Sequence, residues 1–120
     1  MSKLKAILID SVNRSITEID IENSLESIYI AGGYDCVDIV YLENNDAVYV
    51  DDEGLLNKPQ HFFILAGYKQ PIAGNGVILG TTDDGDNQDI QSSLDEIKNS
   101  VRFVSLAEIR QMITNGEIDA

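Results

Sequence analysis

Apolar and polar positions alternate with two distinct periods along the 120-residue chain, and the switches between them define its elements. "KLKAILID" (3–10) carries Ala6, Ile7, Leu8 and Ile9 without interruption, as a strand buried on both faces does. After the turn chemistry of "SVNRS", "ITEIDI" places Thr17, Ile19 and Ile21 on one side and Glu18 and Asp20 on the other. This period of two predicts a half-exposed strand that closes a hairpin on the first. In "NSLESIYIAGG" the period lengthens, so that Leu25, Ile28 and Tyr29 share a helical face. Asn23 and Glu26 stand at capping-box spacing, and Gly32 and Gly33 end the helix.

"CVDIVYL" and "AVYVD" are rich in β-branched and aromatic residues around the turn formers "ENND" (43–46), the strongest hairpin signal in the chain. "DEGLLNKPQ" reads as a loop, because Pro59 bars a helix. "HFFIL" is an apolar run too short for its period to decide, and "NGVILGT" reads as a buried strand. "TTDDGDNQDIQSS" (81–93) has four aspartates and little to bury, which predicts an exposed, mobile acidic loop. "SLDEIKN" then reads as a short helix and "VRFV" as a short strand. "SLAEIRQMITNG" reads as a helix capped by Ser105 and Glu108, with Leu106, Ile109 and Met112 or Ile113 inward and Asn115-Gly116 at its end. The expected fold is a single α+β domain over 1–120, a mostly antiparallel sheet of about five strands with two or three short helices.

Charge narrows the function. With 21 acidic and 8 basic residues the formal charge is -13, a field that repels nucleic acid and anionic membranes. Direct nucleic-acid and membrane binding are therefore not expected. The lone Cys36 cannot close an internal disulfide, no apolar run approaches a membrane span, and "MSKLKAILID" lacks a cleavage site, so a cytoplasmic protein is expected.

Catalytic and metal chemistry find little support. Cys36 and His61 form a nucleophile pair only on paper, and no nucleophile elbow occurs. The clusters Asp51-Asp52-Glu53 and Asp83-Asp84-Gly85-Asp86 offer oxygen ligands. Aligning Gly85 with the glycine of an EF-hand loop, however, puts Gly80, Thr82 and Gln91 at ligand positions. No enzyme, cofactor or metal site is expected.

The segment "HFFILAGYKQPIAGNG" remains. Gly74, Asn75 and Gly76 have neither dinucleotide-fold nor P-loop spacing, and Asn-Gly pairs form tight turns because they accept positive φ. Next to that turn, His61, Phe62 and Tyr68 supply rings that stack on a base, Lys69 a cation, and the glycine bend backbone N–H groups for phosphate. Phe63 and Phe62 alternate, so at least one belongs to the core. The candidate ligand site is therefore His61, Phe62, Tyr68, Lys69, Gly74, Asn75 and Gly76, with a small nucleotide as the expected ligand.

Taken together, "KLKAILID", "ITEIDI", "VYVDDEGLL" and "PIAGNGVILG" resemble a family of small phage and mobile-element proteins known as a domain of unknown function, from about Lys3 to Asp86, and the later "FVSLAEI" is similar to a common ending of its phage members. The resemblance implies no catalytic residue. It implies a context, an accessory protein made during infection that acts on host defence by binding. Two mechanisms fit the residues: a sponge, with its pocket at a homo-oligomer interface, that sequesters a nucleotide immune signal, and as the alternative an acidic mimic of DNA that occupies a host restriction, CRISPR or repair enzyme; the sponge is the expected one, because "GYKQPIAGNG" carries more glycine, ring and amide chemistry than a connector requires.

Overall fold

The computed structural model describes residues 3–33, 37–51, 60–68 and 70–116, with the backbone alone for Leu25 and Val37. β1 (Lys3–Asp10) and β2 (Ser15–Glu22) form the expected hairpin, in register from Lys3↔Glu22 to Asp10↔Ser15. α1 (Leu25–Gly32) follows, ended by Gly33 at φ 76. Its cap lies one residue beyond the predicted Asn23: Ser24 Oγ accepts from Ser27 N, while the Asn23 side chain accepts from Asn87 Nδ2 at 3.4 Å. β3 (Val37–Tyr41) and β4 (Ala47–Asp51) make the second hairpin around a turn in which Asn45 takes a positive φ.

β5 (His61–Leu65) resolves the ambiguous apolar run as a strand, and β6 (Ile72–Ala73) leads into the buried β7 (Gly76–Thr81). β8 (Asn87–Gln88), α2 (Leu94–Ser100), β9 (Val101–Ser105) and α3 (Leu106–Thr114) complete the order. Both later helices carry full capping boxes, Ser93 with Glu96 and Ser105 with Glu108. On α3 the core takes Ile109 and Met112, and Ile113 faces outward.

The architecture is α+β with antiparallel pairing, in two sheets rather than the one expected. The larger runs β2-β1-β7-β4-β3, with β8 also paired to β7; the smaller runs β6-β5-β9. Both edges of β7 are occupied, by β1 and by β4, so β5 has no place beside it and builds its own sheet with β9. Phe63, Ile7, Ile9, Val48, Val50, Ile78 and Ile97 pack between the two sheets. α1 covers the opposite face of the larger sheet through Ile28, against Tyr49, Val77 and Leu79. α3 covers the far side of the smaller one, where Phe62 and Val104 meet Ile109 and Met112. Each fully buried aliphatic or aromatic side chain contributes about 1.5–3 kcal/mol, so this layering accounts for most of the drive to fold.

The acidic 81–93 segment departs from the sequence expectation of an exposed loop. Asp83–Asp86 do stand exposed, in a turn closed by Thr82 N to Asp86 O at 2.8 Å. Beyond β8 the chain is tied down. Lys5 N donates to Asp89 Oδ1 at 2.9 Å, Ile90 N donates to Lys5 O at 2.9 Å, and Ser92 is buried against Asp46. Four aspartates signal a solvated segment, but one of them, Asp89, serves as a backbone acceptor.

Candidate functional site

The glycine bend is a corner between sheets. Gly74, at φ 78, turns the chain out of β6, and its N–H donates to His61 O at 3.1 Å. Asn75 Oδ1 accepts from Ser11 N at 3.0 Å, and Ser11 Oγ donates to Gly74 O. Gly76 enters the ladder opposite Ile9 and Val50, where a Cβ would stand 3.0 Å from the Phe63 ring and 3.3 Å from Val48 Cγ1. Glycine and amide chemistry at this point thus serves turning and close packing. The Gly74 amide is spent on His61 and is not offered to a phosphate. Replacing Asn75 with alanine should leave the buried Ser11 N–H without its acceptor and destabilise the domain by about 1–2 kcal/mol in urea titration.

The other sequence-predicted residues scatter. Phe62 faces α3 and Phe63 fills the space between the sheets, both buried, as alternation along a strand requires. His61 is exposed at the start of β5. Lys69 lies outside the described residues, as do Cys36, Asp52 and Glu53. Rings and bend therefore do not converge on one hollow. Among the described residues, no group of three His, Cys, Asp or Glu side chains is arranged to hold a metal.

Tyr68 is the exception. It follows β5 in a turn made by Tyr68 N to Leu65 O, 3.0 Å, with Gly67 at φ 85, and its side chain stays 42% exposed. It stands between two adjoining hollows. The first, about 510 Å³, lies where the β3–β4 turn, the end of β5 and α2 meet; Val40 and Leu42 give it apolar surface over a floor of the buried Leu65 and Ile97, and Glu43, Glu96 and Tyr68 add polar groups. The second, about 160 Å³, shares Val40 and Tyr68 and adds Asp38, Asp51 and the stretch Gln70–Ala73.

Each acidic side chain is held by its element. Asp38, Val40 and Leu42 alternate along β3 and its continuation toward the small sheet, Ile39 faces the α1 side, and the exposed Tyr41, opposite Ala47, also borders the first hollow. Glu96 belongs to the α2 capping box, its Oε1 accepting from Ser93 N at 3.0 Å. Glu43 sits in the β3–β4 turn, which is braced beneath by the fully buried Asp46. Neither hollow is lined by a Lys or Arg among the described residues. Of the sequence-predicted residues the structure places Tyr68 at these hollows; Asp38, Glu43 and Glu96 are not among them, and Glu96 joins Asp38 and Glu43 from a segment more than fifty residues further along the chain. Only Glu96 carries a local signal, the S-x-x-E spacing of Ser93 to Glu96.

Residues 4–113 match the family model "Domain of unknown function (DUF3846)". The chain belongs to the DUF3846 family. The matched span contains every element of this DUF3846 fold from β1 through the buried face of α3, and so includes both hollows. No curated protein and no solved structure matches the chain. No helix among the described residues is long and apolar enough to cross a membrane.

Proposed function

We propose that this DUF3846 chain is a binding protein that engages a basic partner, acting as a DNA-mimic inhibitor of a host DNA-handling enzyme and serving a phage or mobile element as an accessory protein. The observation that carries this reading is the lining of the two hollows: Asp38, Glu43 and Glu96, with no cation among the described lining residues. Such a surface attracts Lys and Arg and repels phosphate. The edge strand β2, at the opposite edge of the larger sheet from β3, adds Glu18, Asp20 and Glu22, all exposed and on one face, with Lys5 and Lys3 of β1 standing opposite Asp20 and Glu22. Alternate residues of a strand are about 6.7 Å apart, twice the axial rise of about 3.4 Å per phosphate along one DNA strand. The exposed Asp83, Asp84 and Asp86 lie toward the Glu22 end of that row, where Asn87 reaches Asn23.

The nucleotide sponge is the second reading, favoured by a tyrosine beside a hollow within the size range of small-molecule sites, about 300–1,000 Å³. Its phosphates would have to approach Glu43 and Glu96, so acid repulsion ranks it below mimicry.

Competition decides between them. The chain should displace DNA from a basic endonuclease at low salt and lose most of that effect near 0.3 M salt, where the Debye length is about 6 Å. Changing Asp83, Asp84, Asp86 and Asp89 together to asparagine should weaken the displacement. If the enzyme is untouched at any salt, and linear or cyclic adenine nucleotides raise the melting temperature of the chain, the mimic gives way to the sponge.

A further inference from the structure

We infer that the groove on either side of Tyr68 seats an arginine side chain of a basic protein partner. This deepens the reading above and rests on it, since it names the group by which such a partner would anchor.

Three features of the groove select that group. The partly buried Val40 and Leu42 offer apolar surface that suits the methylene stem of a long cationic side chain. The half-exposed Tyr68 ring offers a surface on which a guanidinium stacks. Glu43 and Glu96 border one hollow and Asp38 the other, so carboxylates flank the ring on both sides.

Other occupants fit less well. A phosphate would face these same carboxylates, and an apolar helix would bury them without counter-charge. A second copy of this chain, at a formal charge of -13, would bring like charge to the groove. Arginine is preferred over lysine because its planar fork both stacks and binds carboxylate in a bidentate manner.

The test uses the whole chain and three ten-residue peptides that differ only at one central position: arginine, lysine or the uncharged isostere citrulline. In calorimetric titration at low salt the arginine peptide should bind most tightly and the citrulline peptide at least tenfold more weakly, with the Tyr68 ring resonances shifting in the NMR spectrum. Tyr68→Ala, at a partly exposed position, should keep the fold and weaken the arginine peptide roughly two- to fivefold, the size of an exposed cation–π contact. E43Q with E96Q should weaken it by a similar factor, and glutamine preserves the α2 capping box.

Equal binding of arginine and citrulline peptides, or undiminished binding by both variants, overturns the inference. Failure of the wider reading looks different. If endonuclease displacement is lost in the Asp83/Asp84/Asp86/Asp89 variant and intact in Tyr68→Ala, the groove assignment falls and mimicry stands. If the arginine peptide seats on Tyr68 while no DNA-handling enzyme is displaced, the groove stands and mimicry falls.

Discussion

Asp46→Ala should lower the stability of this domain by about 4 kcal/mol, a large share of the roughly 5–15 kcal/mol that holds an ordinary domain folded. The Asp46 side chain is fully buried and its carboxylate accepts four hydrogen bonds: from Gln91 N at 3.1 Å, Ser92 N at 2.9 Å, Ser92 Oγ at 2.6 Å and Asn44 Nδ2 at 3.2 Å. Alanine leaves the two buried donors, Ser92 N and Ser92 Oγ, without their acceptor, and takes an acceptor from Gln91 N and Asn44 Nδ2 at the more exposed rim. Each buried donor without a partner costs about 1–3 kcal/mol, and partial relaxation of the strap from Gln91 to Ser93 keeps the total below the simple sum. A domain of this size loses about 4 °C of melting temperature per kcal/mol, so a fall of about 15 °C is expected.

Graded variants identify the cause. Ser92→Ala removes one hydroxyl from a carboxylate that keeps its other donors and should cost about 1 kcal/mol. Asp46→Asn keeps one acceptor oxygen and turns an NH₂ toward donors, which places it between the two. The same strap carries the chain from β8 to α2, and so fixes Glu96 on one side of the candidate groove. Loss of arginine-peptide binding in Asp46→Asn, with the fold retained, is expected for that reason. Near wild-type melting of Asp46→Ala would show that the strap is not held by this carboxylate.

Asp46 also marks where the sequence stops being informative. The tetrapeptide Glu43–Asp46 is legible as a turn from composition, and both adjoining strands follow from their β-branched residues. That its last residue is a buried acceptor for Ser92 depends on a contact 46 residues away, which no local period encodes. The same division runs through the molecule. Hairpins of neighbouring strands and the helix caps at Ser105–Glu108 are written within a few residues and were readable. The split into two sheets is decided by which strands take the edges of β7, a non-local competition.

Around the glycine bend, the three residues 74–76 look alike on paper as amide-rich linker. Only packing shows that Gly76 is needed for the Phe63 ring and that Asn75 anchors Ser11. The groove is less legible still, since Asp38, Glu43, Tyr68 and Glu96 are ordinary surface types until the fold gathers them.

Gly80→Ala should cost about 3 kcal/mol, although the position looks like a tolerant strand residue. A Cβ there would overlap the carbonyl oxygen of Asp89 and approach Gln88 Cγ to 3.0 Å. The obstacle is backbone, so no side-chain rotation relieves it, and β8 must move away from β7. That movement pulls on the two bonds by which the following residues hold β1: Lys5 N to Asp89 Oδ1 and Ile90 N to Lys5 O, both 2.9 Å. Overpacking of this kind typically costs about 1–3 kcal/mol, and the added loss of ladder bonds sets the expectation at the upper end. Gly74→Ala is the matched control. Its φ of 78 strains any L side chain, but nothing lies within 4 Å of the new Cβ, so the cost should stop at about 1–2 kcal/mol. Denaturant titration of the two variants, with hydrogen exchange at the Lys5 and Ile90 amides, separates crowding from strain. Faster exchange at both amides in Gly80→Ala and not in Gly74→Ala is expected. A Gly80→Ala variant no less stable than Gly74→Ala would mean that the hairpin tip yields freely, and that the acidic turn it carries is not held in place against β1.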